Sequence, residues 1–272
     1  MWPDRAAGPL DPNQGRLPPG GRFGLPGASA LAEYRRRRNA ELAAQLTSLH
    51  LRLAGVAVSG LTAGFLAAKL AIPLVVAPVV VVVAGWLLRP KLSDAAVAWR
   101  RGARGERATA RRLRRLQRAG WTVFHDVALH GSRANLDHLL IGPGGVFLVD
   151  SKCYRGRIRI GRDGALWYGR HPLSDMLRAV QWEASRATRA LATPGITVEP
   201  LVCVHRGQLP WGQLPGPVPI LTPAALVNRL ASQPPWLSGD QVAELTRQAM
   251  GRLRPATSGD RLAQPEQGGT RG

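Results

Sequence analysis

The pattern of hydrophobic positions divides the chain into two parts. Residues 53–88 are almost continuously apolar, with Lys69 as their one charge and Arg52 and Arg89 at their borders. From Asp94 onward, apolar positions recur with the periods of helices and strands, as in an ordinary mixed domain. We therefore expect a membrane-embedded block followed by a domain with its own core.

The apolar block can be read as two short membrane spans. A span needs roughly 17 to 25 apolar residues. Division near Lys69 and Pro73 gives segments 53–68 and 74–88, which together predict a transmembrane helical hairpin. Basic residues flank both ends of the block, which favours an even number of crossings with both ends in the cytoplasm. A single span over 70–88 and a buried core hairpin remain as alternatives.

The regions around this block have distinct compositions. Residues 31–52 predict a basic juxtamembrane helix that lies on the membrane surface or only sets the topology. Residues 1–30 and 254–272 are rich in Gly and Pro and poor in apolar residues, which predicts disordered tails. The folded domain is expected over residues 94–253.

Periodicity and capping signals give the order of elements in this domain. A helix should begin at a cap on Ser93 or Asp94 and end at Gly120, with a break at 102–105 left open. Alternating or apolar runs predict strands at 121–129, 134–141 and 145–152, and a further hairpin at 156–169 that turns at 162–164. Helices are expected at 174–191, 223–231 and 239–253, with a strand at 197–205 after the first of them. This order predicts an α/β or α+β domain in which a sheet lies between helices.

The charge balance restricts the partners. The chain has 37 Lys and Arg against 17 Asp and Glu, a formal net charge of +20. Polyanions are therefore the expected partners, either nucleic acid or the anionic cytoplasmic leaflet. Cys153 and Cys203 are its two cysteines, and each lies in an apolar strand-like run, which argues against a disulfide framework and fits a reducing compartment.

A glycine-rich turn at 142–145 sets the register of the central strand pair. Paired positions then sum to 287, so that Asp137 faces Asp150 and their Cβ atoms lie about 4.5 to 5.5 Å apart. Because strand side chains alternate, Lys152 points to the same face as Asp150. Two facing carboxylates repel each other unless a cation compensates, and Lys152 supplies one positive charge.

Mg²⁺ or Mn²⁺ would supply the rest of the compensating charge. These ions prefer carboxylate oxygens, keep several waters and bind phosphate, which suits phosphodiester hydrolysis. The alternative is a simple salt bridge between Asp150 and Lys152, with Asp137 solvated at the strand end.

Two polar residues lie beside this pair in the predicted architecture. Glu106 falls on the inward stripe of the first helix, which is made by Ala103, Glu106, Ala110, Leu113 and Leu116. A buried acid is costly without a partner, so Glu106 requires an arginine or a metal site. Gln181 adjoins the predicted buried face of the second helix, which consists of Leu177, Val180, Ala184, Ala187 and Leu191.

The order Glu106, Asp137, Asp150-x-Lys152, Gln181 resembles the nuclease-related domain (NERD), a branch of the PD-(D/E)xK nuclease superfamily. The resemblance covers about residues 102–205 and rests on "GERA", "NLDHLLIGPGGVFLVDSKCYRG" and the helix that carries Gln181. It implies a restriction-endonuclease-like mixed sheet flanked by helices. It also implies metal ligation by Asp137 and Asp150, a catalytic Lys152, and supporting roles for Glu106, as a further ligand, and Gln181. The family pattern more often has Glu at the position of Asp150.

Arginines on the first helix are candidates for phosphate contacts. Arg104, Arg107 and Arg111, together with Arg155, are the expected nucleic-acid-binding residues. Attraction to anionic lipid explains the arginines of the helix equally well. His125, His130 and His138 suggest zinc, but their spacing fits no zinc signature.

The sequence thus predicts a membrane-anchored, Mg²⁺- or Mn²⁺-dependent nuclease with its C-terminal domain in the cytoplasm and DNA as the expected substrate. The alternative is a catalytically silent module that binds nucleic acid or protein at the membrane.

Overall fold

The computed structural model describes residues 24–70, Val83, 92–129 and 135–256. The described residues form two compact units, one made of 24–32 with 100–256 and the other of 33–70, Val83 and 92–99. The second apolar segment, except Val83, and the tails before residue 24 and after residue 256 lie outside the described residues.

The first helix, α1 (Ala28–Leu70), is 43 residues long. The predicted juxtamembrane helix and the first apolar segment are therefore parts of one helix. Since α1 begins at Ala28, the prediction of a disordered tail is wrong for residues 28–30. Within the smaller unit, the buried carboxylate of Glu33 pairs with Arg36 and Arg37, each at 2.7 Å. Among the described residues, no helix has the length and apolar content that a bilayer crossing requires.

The larger unit is built on a mixed sheet whose strands all fall within the described ranges. Its helices are α2 (Asp94–Gln117), which begins in the smaller unit, α3 (Ser174–Leu191), α4 (Pro223–Ala231) and α5 (Gly239–Arg252). Its strands are β1 (Thr122–Leu129), β2 (Asn135–Gly142), β3 (Gly145–Ile160), β4 (Leu166–Tyr168), β5 (His171–Pro172), β6 (Val198–Gln208), β7 (Gln213–Leu214), β8 (Ile220–Leu221) and β9 (Leu253–Pro255).

The strand order across the sheet is β7-β8-β6-β3-β2-β1-β9, with β4 paired to β3 and β5 paired to β4. Strand β3 is parallel to β6 and antiparallel to β2, so the sheet is mixed. The predicted α/β architecture, a mixed sheet flanked by helices, is confirmed. Strand β9 extends the sheet to Pro255, so the prediction of a disordered tail from residue 254 is wrong at its start.

Side chains of β3 alternate between two hydrophobic layers. Val146 and Leu148 pack with the buried residues of α3 and α5, whereas Phe147 and Val149 pack with those of α2 and α4. This alternation continues to Asp150, which belongs to the face covered by α3 and α5. A strand that is buried on both faces explains the continuous apolar run of the sequence.

Helix α2 packs closely on β3. The Ser93 hydroxyl accepts a hydrogen bond from the Ala96 backbone N–H at 3.1 Å, so the predicted cap begins the helix. The helix continues without a break through residues 102–105, and an interruption there is ruled out. A Cβ added to Gly105 would lie 3.5 Å from the Cβ of Cys153, which places the helix backbone against the strand. Gly105 thus lies where the helix contacts the strand and does not end the helix.

The turn between β2 and β3 is fixed by its surroundings. Gly145 has a φ of +124°, a conformation that side chains rarely adopt, and a Cβ on Gly142 would lie 2.2 Å from the ring of Trp121. The Pro143 carbonyl accepts hydrogen bonds from the backbone N–H groups of Trp236, at 3.0 Å, and Leu237, at 3.1 Å. Paired positions from Gly142↔Gly145 to His138↔Val149 sum to 287, which confirms the predicted register.

Two predictions near the second helix need adjustment. On α3, Met176 occupies the buried position predicted for Leu177, which is half-buried, while the other four predicted residues are buried. Strand β3 does not end near residue 152 but continues to Ile160 and pairs with β4. The predicted hairpin at 156–169 is therefore present, and its first strand is the extension of the strand that carries Asp150.

A buried polar network joins residues 24–32 to the rest of the larger unit. The carboxylate of Asp126 accepts hydrogen bonds from the backbone N–H and the hydroxyl of Ser29, both at 2.6 Å, and from the Asn135 amide at 2.9 Å. Ser29 lies in the first turn of α1, where backbone N–H groups lack helical partners and a carboxylate is favourable. The start of α1 is therefore part of this unit, although it is 97 residues away from Asp126 in sequence.

Candidate active site

Two carboxylates and an ammonium group meet at the end of the β2–β3 pair. Asp137 and Asp150 are each 8 % exposed, and continuation of the observed register places them opposite each other. The Lys152 Nζ donates a hydrogen bond to Asp150 Oδ1 at 3.0 Å, with the two side chains 22 % and 12 % exposed. The structure thus brings together the three residues that the sequence predicted as the centre of the site.

The protonation state of Lys152 follows from its neighbours. Burial alone would lower its pKa, but attraction to the carboxylates of Asp150 and Asp137 and to the Tyr154 hydroxyl group, with the hydrogen bond to Asp150, outweighs this effect. The pKa of Lys152 is therefore above its ordinary value, and the side chain remains an ammonium at neutral pH. Such a group can stabilise negative charge, but it cannot accept a proton.

Asp137 is oriented by the backbone of the neighbouring strand. Its Oδ2 accepts a hydrogen bond from the Ser151 backbone N–H at 2.9 Å. Because Ser151 stands between Asp150 and Lys152 in the chain, this bond ties the carboxylate from β2 directly to the segment that carries the other two side chains.

A polar network behind the strand escaped the sequence analysis. The Ser151 hydroxyl donates a hydrogen bond to Thr109 Oγ1 at 2.8 Å, and Thr109 Oγ1 lies 2.7 Å from His205 Nε2. These contacts join β3 to α2 and β6 on the face opposite Asp150. Thr109 lies three residues after Glu106 on α2. This helical spacing places it beside the inward stripe and could have predicted its burial.

The histidine of this network is held mainly neutral. Burial, followed by the charges of Arg111 and Arg112, lowers the pKa of His205. The pKa of Cys203, 3.7 Å from the same ring nitrogen, is raised to about 12 by its burial. Both cysteines are free thiols, as the sequence suggested, and Cys203 is an unreactive buried thiol at neutral pH.

The other two predicted site residues lie on different helices. Glu106 is 2 % exposed on α2, within the predicted inward stripe, whose five members are all buried. Gln181 is on α3, the helix that covers the Asp150 face, but its side chain is exposed. No group of three or more His, Cys, Asp or Glu side chains within the described ranges is arranged to hold a metal ion. Glu106 does not complete a three-residue ligand set here, and the roles of Glu106 and Gln181 stay predictions.

The donor set nonetheless fits a hard divalent cation. Mg²⁺ binds proteins through one or two carboxylates and completes its shell with waters and phosphate oxygens. Asp137 and Asp150 provide two such carboxylates, at the edge of a buried layer where a compensating cation is favourable.

The histidine pair of β1 and β2 has a structural explanation. The Nδ1 atoms of His125 and His138 lie 2.9 Å apart, and their rings meet edge to face across directly paired positions. His138 is fully buried and His125 nearly so. His130, the third member of the zinc hypothesis, lies outside the described residues.

The predicted nucleic-acid-binding arginines lie on two elements. Arg104 and Arg111 are exposed on α2 and Arg107 is half-buried there, whereas Arg155 is exposed on the far half of β3. Helix α2 packs on the face of the sheet opposite Asp150. Arg155, by contrast, follows Lys152 on the same strand.

Comparison with known protein families gives a match over the candidate site. The family model described as "Nuclease-related domain" matches residues 101–205, which include most of α2, the β2–β3 pair, α3 and most of β6. No curated protein and no solved structure matches the chain. Residues 101–205 are thus similar to nuclease-related domains, which suggests a nuclease-related function and agrees with the resemblance seen in the sequence.

We predict that Lys152 stabilises the fold by neutralising the two carboxylates. Lys152→Met should lower the free energy of unfolding at pH 7 by about 2 kcal/mol, because it leaves a partly buried pair of acids without its cation. The loss should be smaller in an Asp150→Asn background, where one of the two charges is already absent. Urea unfolding of the full chain and its variants measures both values.

The exposed ion pair between Asp175 and Arg178 is the matched control. Its two side chains are 81 % and 72 % exposed, so Arg178→Met and Asp175→Asn should show little coupling. Equal coupling in the two pairs would contradict the proposed compensation at Lys152.

Proposed function

We propose that this chain is a membrane-anchored, divalent-metal-dependent nuclease that hydrolyses phosphodiester bonds of nucleic acid, with DNA as the expected substrate. The grouping of Asp137, Asp150 and Lys152 inside a nuclease-related domain is the observation that carries the proposal. Neither feature suffices alone, because an Asp–Lys ion pair is common and a family match does not establish activity.

In this proposal, Asp137 and Asp150 hold Mg²⁺ or Mn²⁺. The bound ion would polarise a phosphoryl oxygen and lower the pKa of a bound water. The Ser151 backbone N–H holds the Asp137 carboxylate at 2.9 Å, which limits the reorganisation needed for ligation. The hydrogen bond between the hydroxyls of Ser151 and Thr109 holds the segment that carries Asp150 against α2.

Lys152 acts through its charge. An ammonium beside the scissile phosphate stabilises the negative charge that develops on the phosphoryl oxygens in the transition state. In the metal-free chain its raised pKa keeps it protonated at neutral pH, so the role proposed for it is that of a cation.

A silent binding module is the second candidate. Asp150 is already ion-paired with Lys152, and Gln181 is exposed on α3. A domain that binds nucleic acid or protein without cleaving it would tolerate this arrangement. The measurement of cleavage separates the two candidates.

We expect the full chain to cleave plasmid or linear DNA in Mg²⁺ or Mn²⁺ and to lose this activity in EDTA. Asp150→Asn and Asp137→Asn should each reduce the rate by at least about 100-fold, because each removes a metal ligand. Lys152→Arg should retain more activity than Lys152→Ala, because a role that depends on charge survives in arginine. RNA is assayed in parallel, and a gel-based cleavage assay measures all rates.

Asp240→Asn is the matched control, since Asp240 is an exposed acid in the first turn of α5. It should cleave at the rate of the unchanged chain. Equal cleavage by the chain and its Asp150→Asn and Lys152→Ala variants would indicate contamination and refute the enzymatic proposal. If the chain binds DNA but does not cleave it in Mg²⁺, in Mn²⁺ or without metal, the silent module is favoured.

The membrane anchor is supported by the apolar block and by the surface of α1. Val58, Leu61 and Phe65 are 64 %, 75 % and 68 % exposed in the described part of the helix. Large apolar side chains at positions three and four residues apart form an apolar stripe, which is costly in water and favourable in lipid. The juxtamembrane arginines, Arg35 to Arg38, would then lie at the anionic cytoplasmic leaflet.

We expect the full chain to float with liposomes that contain anionic lipid and to resist extraction by high salt and carbonate. A cytoplasmic reporter should be active when fused at either Met1 or Gly272, because an even number of crossings leaves both ends on one side. Opposite reporter signals would contradict the hairpin, and complete release by salt would contradict the anchor.

A further inference from the structure

The strand that carries Asp150 and Lys152 extends into a basic arm. We define the arm as residues 155–172, which comprise the far half of β3, the strand β4 and the short strand β5. Five arginines and one acid, Asp163, lie in this segment, and all five arginines are exposed: Arg155, Arg157, Arg159, Arg162 and Arg170. The arm therefore begins three residues after Lys152 and presents a strong local excess of positive charge.

The arm is a folded extension of the sheet with its own tertiary contacts. The rings of Tyr154 and Tyr168 stack with centroids 4.3 Å apart. The Tyr168 hydroxyl accepts a hydrogen bond from the Arg155 backbone N–H at 2.8 Å and donates one to the Arg155 carbonyl at 2.7 Å. Ile158 is fully buried, which fixes the arm to the hydrophobic layer under α3. The positions of its arginines are therefore set before any ligand binds.

Within the described residues, no ion pair compensates the charges of the arm. Other arginines form ion pairs with acids, namely Arg36 and Arg37 with Glu33, Arg178 with Asp175, and Arg247 with Glu244. In the described part of the chain, no such pair involves an arginine of the arm. Arg159 donates a side-chain hydrogen bond to the Gly169 carbonyl, at 2.7 Å, and this neutral acceptor leaves its charge uncompensated.

The arrangement of these arginines matches a linear polyanion. Arg157 and Arg159 flank the buried Ile158 and so project to the solvent side of the strand, roughly 6.6 Å apart along it. An extended nucleic-acid strand carries phosphates at comparable intervals. Because Arg155 follows Lys152 by three residues on β3, a strand bound to the arm lies next to the segment that carries Asp150 and Lys152.

We propose that the arm binds the phosphate backbone of the nucleic-acid strand and directs it to Asp137, Asp150 and Lys152. This inference rests on the proposed function for the position of the cleaved bond. The binding step itself does not require cleavage. The recognised group is the backbone phosphate, so binding should depend on salt and should not depend on sequence.

The test uses the full chain with Asp150→Asn, which prevents cleavage, and a fluorescent single-stranded 30-mer of mixed sequence. Replacing Arg155, Arg157 and Arg162 together by alanine should weaken binding at least about tenfold at 100 mM salt. The plot of log K against log salt has a negative slope. Its magnitude should decrease by about 2, since each lost contact with a single strand contributes roughly 0.7. Replacing the same three residues by lysine should retain most of the affinity and the slope. Fluorescence anisotropy measures both quantities.

The matched control removes the same charge from α2 and the turn after it. Arg114, Arg115 and Arg118 are exposed, and their joint replacement by alanine should change the affinity by less than about threefold. An unchanged affinity of the arm variant would overturn the proposal. Equal losses in the arm and control variants would also overturn it, because they would show that only net charge matters.

Failure of the proposed function gives a different result. If the unchanged chain does not cleave DNA or RNA but its binding of nucleic acid still requires the arm, the nuclease proposal fails. The proposal that the arm binds nucleic acid is then retained. If the chain cleaves DNA and the arm variant in the active background has the same KM, the arm proposal fails and the nuclease stands.

Discussion

The turn between β2 and β3 determines the geometry of the whole candidate site. Its conformation requires glycine at Gly145, and the ring of Trp121 leaves no space for a side chain at Gly142. The Trp236 side chain donates a hydrogen bond to the Gly144 carbonyl at 3.2 Å, so the segment before α5 holds the turn from outside. A slip of one residue would move Asp137 to the other face of its strand. Steric constraints about five residues away thus decide which acids face each other.

The resulting pair of carboxylates has an electrostatic cost that the neighbourhood offsets. Lys152 contributes the ammonium, and the Ser151 backbone N–H contributes a hydrogen bond to Asp137. Both groups belong to the segment that also carries Asp150, so three consecutive residues of β3 supply a carboxylate, an orienting donor and a cation. The polar contacts of Thr109 and His205 hold this segment from behind. One short stretch of strand can therefore perform most of the chemistry proposed for the site.

Local patterns predicted most of the fold because they depend on short-range rules. The register at Asp137 and Asp150, the limits of α3 and the inward stripe of α2 all follow from side-chain periodicity and turn chemistry. Contacts between distant segments leave no such pattern. The bond from Ser29 to Asp126, the packing of Gly105 on Cys153 and the extension of β3 to Ile160 therefore had to be learned from the structure. The structure buries Met176 and not the predicted Leu177. The two residues are adjacent on the helix, and periodicity alone does not determine which of two neighbouring residues faces the core.

The most direct test of the account is a crystal structure of the chain grown with Mn²⁺, with anomalous data collected at the manganese edge. The account predicts one anomalous peak within ligand distance of the carboxylates of both Asp137 and Asp150, with the ammonium of Lys152 beside it. Side chains of Asp137 and Asp150 on opposite faces of the sheet, or manganese bound elsewhere and absent from this pair, would contradict it.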